Sequence, residues 1–367
     1  MTKNITFVTT EFPPEPGGIG NHAYNLANQL VSKGYKIDLI CDYRKVNRIY
    51  EDEFDAQLNF EVTRIKVTKP RFLMYFIRLW KINHSIMNSD IVIASGKFSL
   101  WIVALISMIQ NKKCYAVIHG SEVNLRSKIL KIITNISLKR YSKIIAVSNF
   151  TKSLISDLNL PYVTVIPNGF ELFEENNLTN DENNKSKDSL NFITVGSITD
   201  RKGQLNFIEA IPKLLSSYPN LHYHMIGNPM EKGKILERII DLGIDKNITI
   251  HGVVSDSQKQ NILKMSDVFV MLSNNTATGD VEGFGIAILE ANSLGIPAIG
   301  SEKCGIEDAI DNKHTGILVN PKNVNEIHDA VIEVIANFSF YKKNSKTWSE
   351  NFSWELIGER YIKIIEA

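Results

Sequence analysis

Glu282 and Glu290 lie eight positions apart in EGFGIAILE, residues 282–290. Gly283 and Gly285 leave main-chain amides bare between them, and GIAILEANSLG reads as a helix closed by Gly295 and followed by Pro297. Glu282 then falls in a loop, and Glu290 about a turn and a half into the helix. Bare amides at a helix N-terminus suit a phosphate. A carboxylate would repel that phosphate, but its two oxygens can accept paired hydrogen bonds from a vicinal diol. A ribose at one end, a sugar at the other and a diphosphate between them would use every residue of the stretch.

Three further stretches carry chemistry. In VGSITDRKGQLNFIEAI (195–211) a strand ends at Gly196 and a helix starts near Gly203, with Arg201 and Lys202 just before it. Two cations beside free helix amides make a diphosphate site. In VIHGSE (117–122) a strand ends at His119, whose ring can donate to a hydroxyl. In TTEFPPEPGGIGNH (9–22) glycines precede a helix that opens at about Ile19. Gly18, Gly20 and Ala23 fit a loose dinucleotide-binding pattern, with Asp42 where a ribose-binding acid would fall. His222 and His224 alternate along a strand with no carboxylate partner or metal spacing.

The elements that must position these residues are those of an α/β protein. Apolar strand-like runs at 4–8, 36–41, 90–95, 114–119, 143–148 and 163–167 alternate with helical segments. The alternation stops at EENNLTNDENNKSKDS (174–189) and restarts at 191–196, 221–227, 247–252, 267–272, 297–301 and 316–320. At 367 residues, two domains are expected. Each is a Rossmann-like, doubly wound parallel sheet, and the two face each other across a cleft. The divisions fall at 1–170, a polar linker at 171–190, 191–347, and a C-terminal helix at 348–367 that crosses back to the first domain.

Residues 1–170 hold 22 Lys and Arg against 12 Asp and Glu, whereas the rest hold 19 against 28. The basic half points to an anionic partner. Residues 62–89 and 124–143 each contain six Lys or Arg, no acid, and apolar residues at helical spacing, which suits an anionic lipid surface. A packed helix with a solvated cationic face fits the same pattern. No nucleic-acid motif appears. Cys41, Cys114 and Cys304 form no metal or disulfide pattern and point to a reducing, cytoplasmic setting. The N-terminal apolar run is too short for a signal peptide. FSLWIVALISMI (98–109) is shorter than the ~20 residues that span a bilayer.

Together with VSNFTKSLI, VIPNGFE, GILVNPKN and FSWELIGERYIKII, these stretches resemble the retaining glycosyltransferases of family 4, which have the GT-B fold. The resemblance covers nearly the whole chain. It implies a UDP- or GDP-linked sugar donor held mainly by the C-terminal domain, with no cofactor. Arg201 and Lys202 would hold the diphosphate. Glu282 and the Gly283–Phe284–Gly285 backbone would hold the transferred sugar, and Glu290 the ribose. His119 would contact the donor sugar, and the loop at Gly17, Gly18 and Gly20 would close over diphosphate and acceptor. The residue after Gly196, often arginine in the family, is Ser197 at the donor site here, which leaves Arg201 to take over that charge.

His119, Arg201, Lys202 and Glu282 are thus the expected catalytic set, with no metal. The resemblance implies transfer of a hexosyl or N-acetylhexosaminyl group to a glycan or polyprenyl-linked saccharide, as in bacterial O-antigen or capsule assembly. The enzyme would sit in the cytoplasm or at the inner face of the cell membrane. A sugar-nucleotide epimerase of the same fold, a dinucleotide-dependent oxidoreductase and a non-catalytic sugar-nucleotide-binding subunit remain alternatives.

Overall fold

The computed structural model describes residues 3–15, 17–45, 47–66, 69, 71–171 and 189–367. The expected polar linker therefore lies almost wholly outside the described residues. The chain divides into two compact units, Met1–Gly169 with Trp354–Ala367, and Phe170–Ser353.

In the first unit the strands are β1 (Asn4–Thr9), β2 (Lys36–Asp42), β3 (Glu61–Ile65), β4 (Ile91–Ser95), β5 (Lys113–Ile118), β6 (Lys143–Ala146) and β7 (Val163–Val165). They form one sheet in the order β3-β2-β1-β4-β5-β6-β7, parallel throughout. Ile5 of β1 lies between Ile37 and Ile91 of its neighbours, so β-branched residues meet at the centre. The helices are α1 (Gly18–Ser32), α2 (Ile49–Asp55), α3 (Arg71–Met87), α4 (Lys97–Ile106), α5 (Lys128–Leu138) and α6 (Asn149–Ser153).

β3 was not anticipated: residues 61–65 fall at the start of the first basic segment and are strand. Arg64 of that strand is buried, donating to Glu51 at 3.0 Å and to Asp55 at 2.7 Å. Arg78 of α3 is likewise buried, 2.5 Å from Asp42 and with its guanidinium over the Phe98 ring at 4.2 Å. Two of the six cations in that segment are internal ion pairs rather than a basic face.

The second unit has β8 (Leu190–Val195), β9 (Leu221–Ile226), β10 (Ile248–Gly252), β11 (Val268–Met271), β12 (Ala298–Ser301) and β13 (Gly316–Val319). All are parallel, in the order β10-β9-β8-β11-β12-β13. The helices are α7 (Gln204–Leu215), α8 (Lys232–Leu242), α9 (Asp256–Met265), α10 (Ile286–Ser293), α11 (Val324–Ala336) and α12 (Phe338–Ser349). A last helix, α13 (Trp354–Glu366), packs on α1 in the first unit. There the buried Tyr361 hydroxyl is 2.9 Å from His22 Nε2.

In both sheets the strand order reverses beside the first strand, between β1 and β4 and between β8 and β11, while every strand stays parallel. Ligands of such sheets bind outside the carboxyl ends of the strands at this reversal.

Candidate active site

At the second reversal the loops after β8 and β11 are locked together. Gly203 closes the first loop at φ 70°, and a Cβ there would collide with the Leu272 carbonyl. Only glycine supports that backbone and that approach. The Asn206 side chain donates to Leu272 O at 2.9 Å, and the Asn274 N–H donates to Arg201 O at 2.8 Å. Thr199 caps the 3-10 turn Asp200–Lys202, which presents both cations. Ser197 serves this loop through its main chain, its carbonyl accepting from Gln204 Nε2 at 3.1 Å.

The second loop carries Glu282 into the same place. Lys202 Nζ lies 2.8 Å from Glu282 Oε2, and Arg201 Nη1 donates to the same oxygen. Arg201 Nε is 3.0 Å from Asp280. Burial pushes the Glu282 carboxyl up, but Lys202 and Arg201 overcome this and hold it below the usual carboxylate range. The two cations and Glu282 were expected to contact one donor. The structure brings them into direct contact, so the carboxylate meets the cations as a phosphate oxygen would. Gly285 N-caps α10 at φ 96° with no side-chain cap, and no acid occupies the helix's first turn. Phe284 is buried and packs on Phe352 at 5.9 Å, so its side chain anchors the loop and leaves the backbone to meet a ligand. Gly283 carries the loop against Gly305, whose N–H donates to Glu282 O at 2.9 Å. Glu290, on α10, is paired with Lys259 of α9 at 3.2 Å. Nothing in the sequence had singled out Lys259.

The first unit holds the other candidates. Gly17 N-caps α1 without a side-chain cap, its carbonyl accepting from Asn21 N–H at 2.9 Å, and a Cβ on Gly17 would strike the Glu11 carboxylate. Gly18 has open space around it, whereas Gly20 lies against the Glu11–Phe12 backbone. His119 Nε2 is 3.0 Å from Ser95 Oγ, and its ring meets His22 edge-on at 5.0 Å. Burial pushes the His119 imidazole down to about 4, which favours the neutral ring at pH 7. Glu122, which the motif contained without an assigned role, accepts the main-chain N–H of His119 through Oε1 at 2.5 Å. Its buried Oε2 has no partner among the described residues, and burial raises the carboxyl to about 7.

Asp42 bears on the dinucleotide alternative. Its carboxylate is engaged by buried Arg78 and is not presented to a ribose. Among the described residues no group of three or more His, Cys, Asp or Glu is placed to hold a metal ion. His224 Nδ1 lies 3.0 Å from His251 Nε2, and His222 bonds Thr249 instead.

Residues 16–172 match the family described as Glycosyltransferase Family 4, and residues 176–351 the family described as Glycosyl transferases group 1. The chain belongs to glycosyltransferase family 4. An uncharacterised glycosyltransferase of Methanocaldococcus jannaschii is 25% identical, over 98% of this chain and 97% of its own. A GDP-mannose-dependent monoacylated phosphatidylinositol monomannoside mannosyltransferase of Corynebacterium glutamicum is 23% identical over 70% of each chain. The Anabaena protein HepE, solved in complex with UDP, superposes with a TM-score of 0.82 over all of both chains at 16% identity. Two parallel α/β sheets of this order, with such a neighbour, give the family 4 transferase the GT-B fold. No helix among the described residues is long and apolar enough to cross a membrane.

Proposed function

We propose that this transferase moves a hexosyl or N-acetylhexosaminyl group from a UDP- or GDP-linked donor, with retention and without a metal. The acceptor would be a hydroxyl of a glycan or lipid-linked saccharide, in the assembly of a bacterial surface polysaccharide. One observation carries the reading: Arg201, Lys202 and Glu282 converge at the reversal of the second sheet, beside the uncapped start of α10. Two cations and free amides neutralise a leaving diphosphate, and the carboxylate accepts from sugar hydroxyls. HepE's UDP and the mannosyltransferase's GDP-mannose support the donor class, and that enzyme's phosphatidylinositol mannoside supports an acceptor carried on lipid. The basic first half supports work at an anionic cytoplasmic membrane face.

In the proposed reaction the bond from the anomeric carbon to the diphosphate oxygen breaks through an oxocarbenium-like state. The acceptor oxygen bonds to that carbon on the same face, and its proton passes to the departing diphosphate. Arg201 and Lys202 stabilise the charge that develops there, and His119 and Glu282 orient the sugar. The test is transfer from a panel of sugar nucleotides in excess chelator, with the product's anomeric configuration read by NMR. Retained configuration and undiminished rate are expected. Inversion would refute the stereochemistry, and complete loss in chelator would refute the metal-free step.

A further inference from the structure

Helix α5 is turned with its apolar stripe outward. Ile129, Ile132, Ile133 and Ile136 follow a helical i, i+3, i+4, i+7 spacing and are all exposed, Ile129 by 71% and Ile136 by 57%. The inward face is Thr134, Ser137 and Leu138, and Trp101 Nε1 of α4 donates to Thr134 Oγ1 at 2.8 Å. A helix stabilised by its own core would show the opposite pattern. The neighbouring α3 buries Met74, Ile82 and Ile86 but leaves Phe76 and Trp80 out, Trp80 by 62%. Tyr75 of α3 stacks on Phe98 of α4 at 5.4 Å, so the three helices lie side by side. The turn after α4 adds Ile109, 83% exposed.

We infer that these outward faces form an insertion surface for a bilayer containing anionic lipid. Exposed apolar surface on this scale marks an interaction site. Its surroundings select the partner: Arg126, Lys128, Lys131, Lys139 and Arg140 are exposed around the isoleucines, and residues 124–143 contain no acid. A two-fold interface with a second copy would set these cations against themselves. Phosphate headgroups complement them, while the isoleucines and Trp80 enter the acyl boundary. This inference rests on the membrane placement proposed above and deepens it: the contact is hydrophobic insertion steered by charge, rather than charge alone.

The test is co-sedimentation of the full chain with phosphatidylcholine vesicles, with and without phosphatidylglycerol. Wild type should bind the anionic vesicles, and Ile129→Ser/Ile132→Ser/Ile136→Ser should lower that binding by at least about tenfold. All three side chains are exposed, and an unchanged melting temperature would confirm that the variant folds. Lys128→Gln/Lys131→Gln/Lys139→Gln should abolish the preference for anionic lipid. If wild type binds neither vesicle, the membrane placement itself falls. If wild type binds and the serine variant binds equally, the placement stands and the insertion surface falls. A wild-type dimer that the serine substitutions convert to monomer, read by light scattering, would assign the face to a second copy and overturn the inference.

Discussion

The ammonium of Lys259 straddles the Glu290 carboxylate, 3.2 Å from one oxygen and 3.3 Å from the other. The pair ties α9 to α10, and both side chains are largely shielded from solvent. Under the proposed function Glu290 receives the ribose hydroxyls, so Lys259 fixes the direction in which that acceptor points. Lys259→Met should therefore weaken binding of the free nucleoside diphosphate by about tenfold, equivalent to about 1.4 kcal/mol. Glu290→Ala should weaken it at least as much. Calorimetric titration decides, and unchanged affinity in Lys259→Met would reduce the pair to surface charge.

Glu282 should behave differently from Glu290. It occupies Arg201 and Lys202 directly, so a diphosphate must share or displace it. Glu282→Ala releases Lys202 and leaves Arg201 paired with Asp280 alone. Affinity for the free nucleoside diphosphate should hold or rise, while discrimination among sugar nucleotides collapses. Arg201→Ala or Lys202→Ala should instead lower kcat by about 100- to 1000-fold, the scale of losing a preorganised charge-stabilising donor. Equal loss of nucleotide binding in Glu282→Ala and Glu290→Ala would contradict this division of roles.

Glu122 and His119 predict a pH signature in stability. The Glu122 carboxyl rises from 4.5 to about 7 in the folded chain, chiefly through burial. Its contribution is fully present below pH 4.5 and is lost as pH rises through 7, an effect of about 3 kcal/mol. His119 falls from 6.5 to about 4, so its contribution is present above pH 6.5 and is lost as pH falls towards 4. Glu122→Gln should accordingly gain stability relative to wild type between pH 5 and 8, measured by denaturant unfolding at each pH. A difference that does not vary with pH would mean that Glu122 is ionised throughout.

Much of this was legible in the sequence because it is local. Runs such as IVIA (91–94) and VFVM (268–271) are apolar without alternation, which parallel strands buried on both faces require. The candidate site sits at their carboxyl ends, where glycine and charge are visible in one dimension. β3 escaped because Arg64 looks like a solvent residue, and its neutralisation by Glu51 and Asp55 is a tertiary event. Lys259 escaped for the same reason, being 31 positions from its partner. Periodicity marked α5 as amphipathic but is silent on which face turns inward.

The joint between the two loops of the candidate site makes the last prediction the sharpest. Gly203 holds φ 70° against the Leu272 carbonyl, and the Asn206 and Asn274 bonds depend on that approach. A methyl group there must push β11's end away from the turn that carries Arg201 and Lys202. Gly203→Ala should cost about 1–3 kcal/mol in stability from backbone strain and displaced packing. It should also lower kcat by about tenfold or more, although residue 203 supplies no side chain, because a displacement of about 1 Å is enough to misplace charge at a reacting centre. Asn206→Ala should reproduce part of the kinetic loss without the strain. Near-wild-type turnover in Gly203→Ala would show that the loops need not be locked for Arg201, Lys202 and Glu282 to act together.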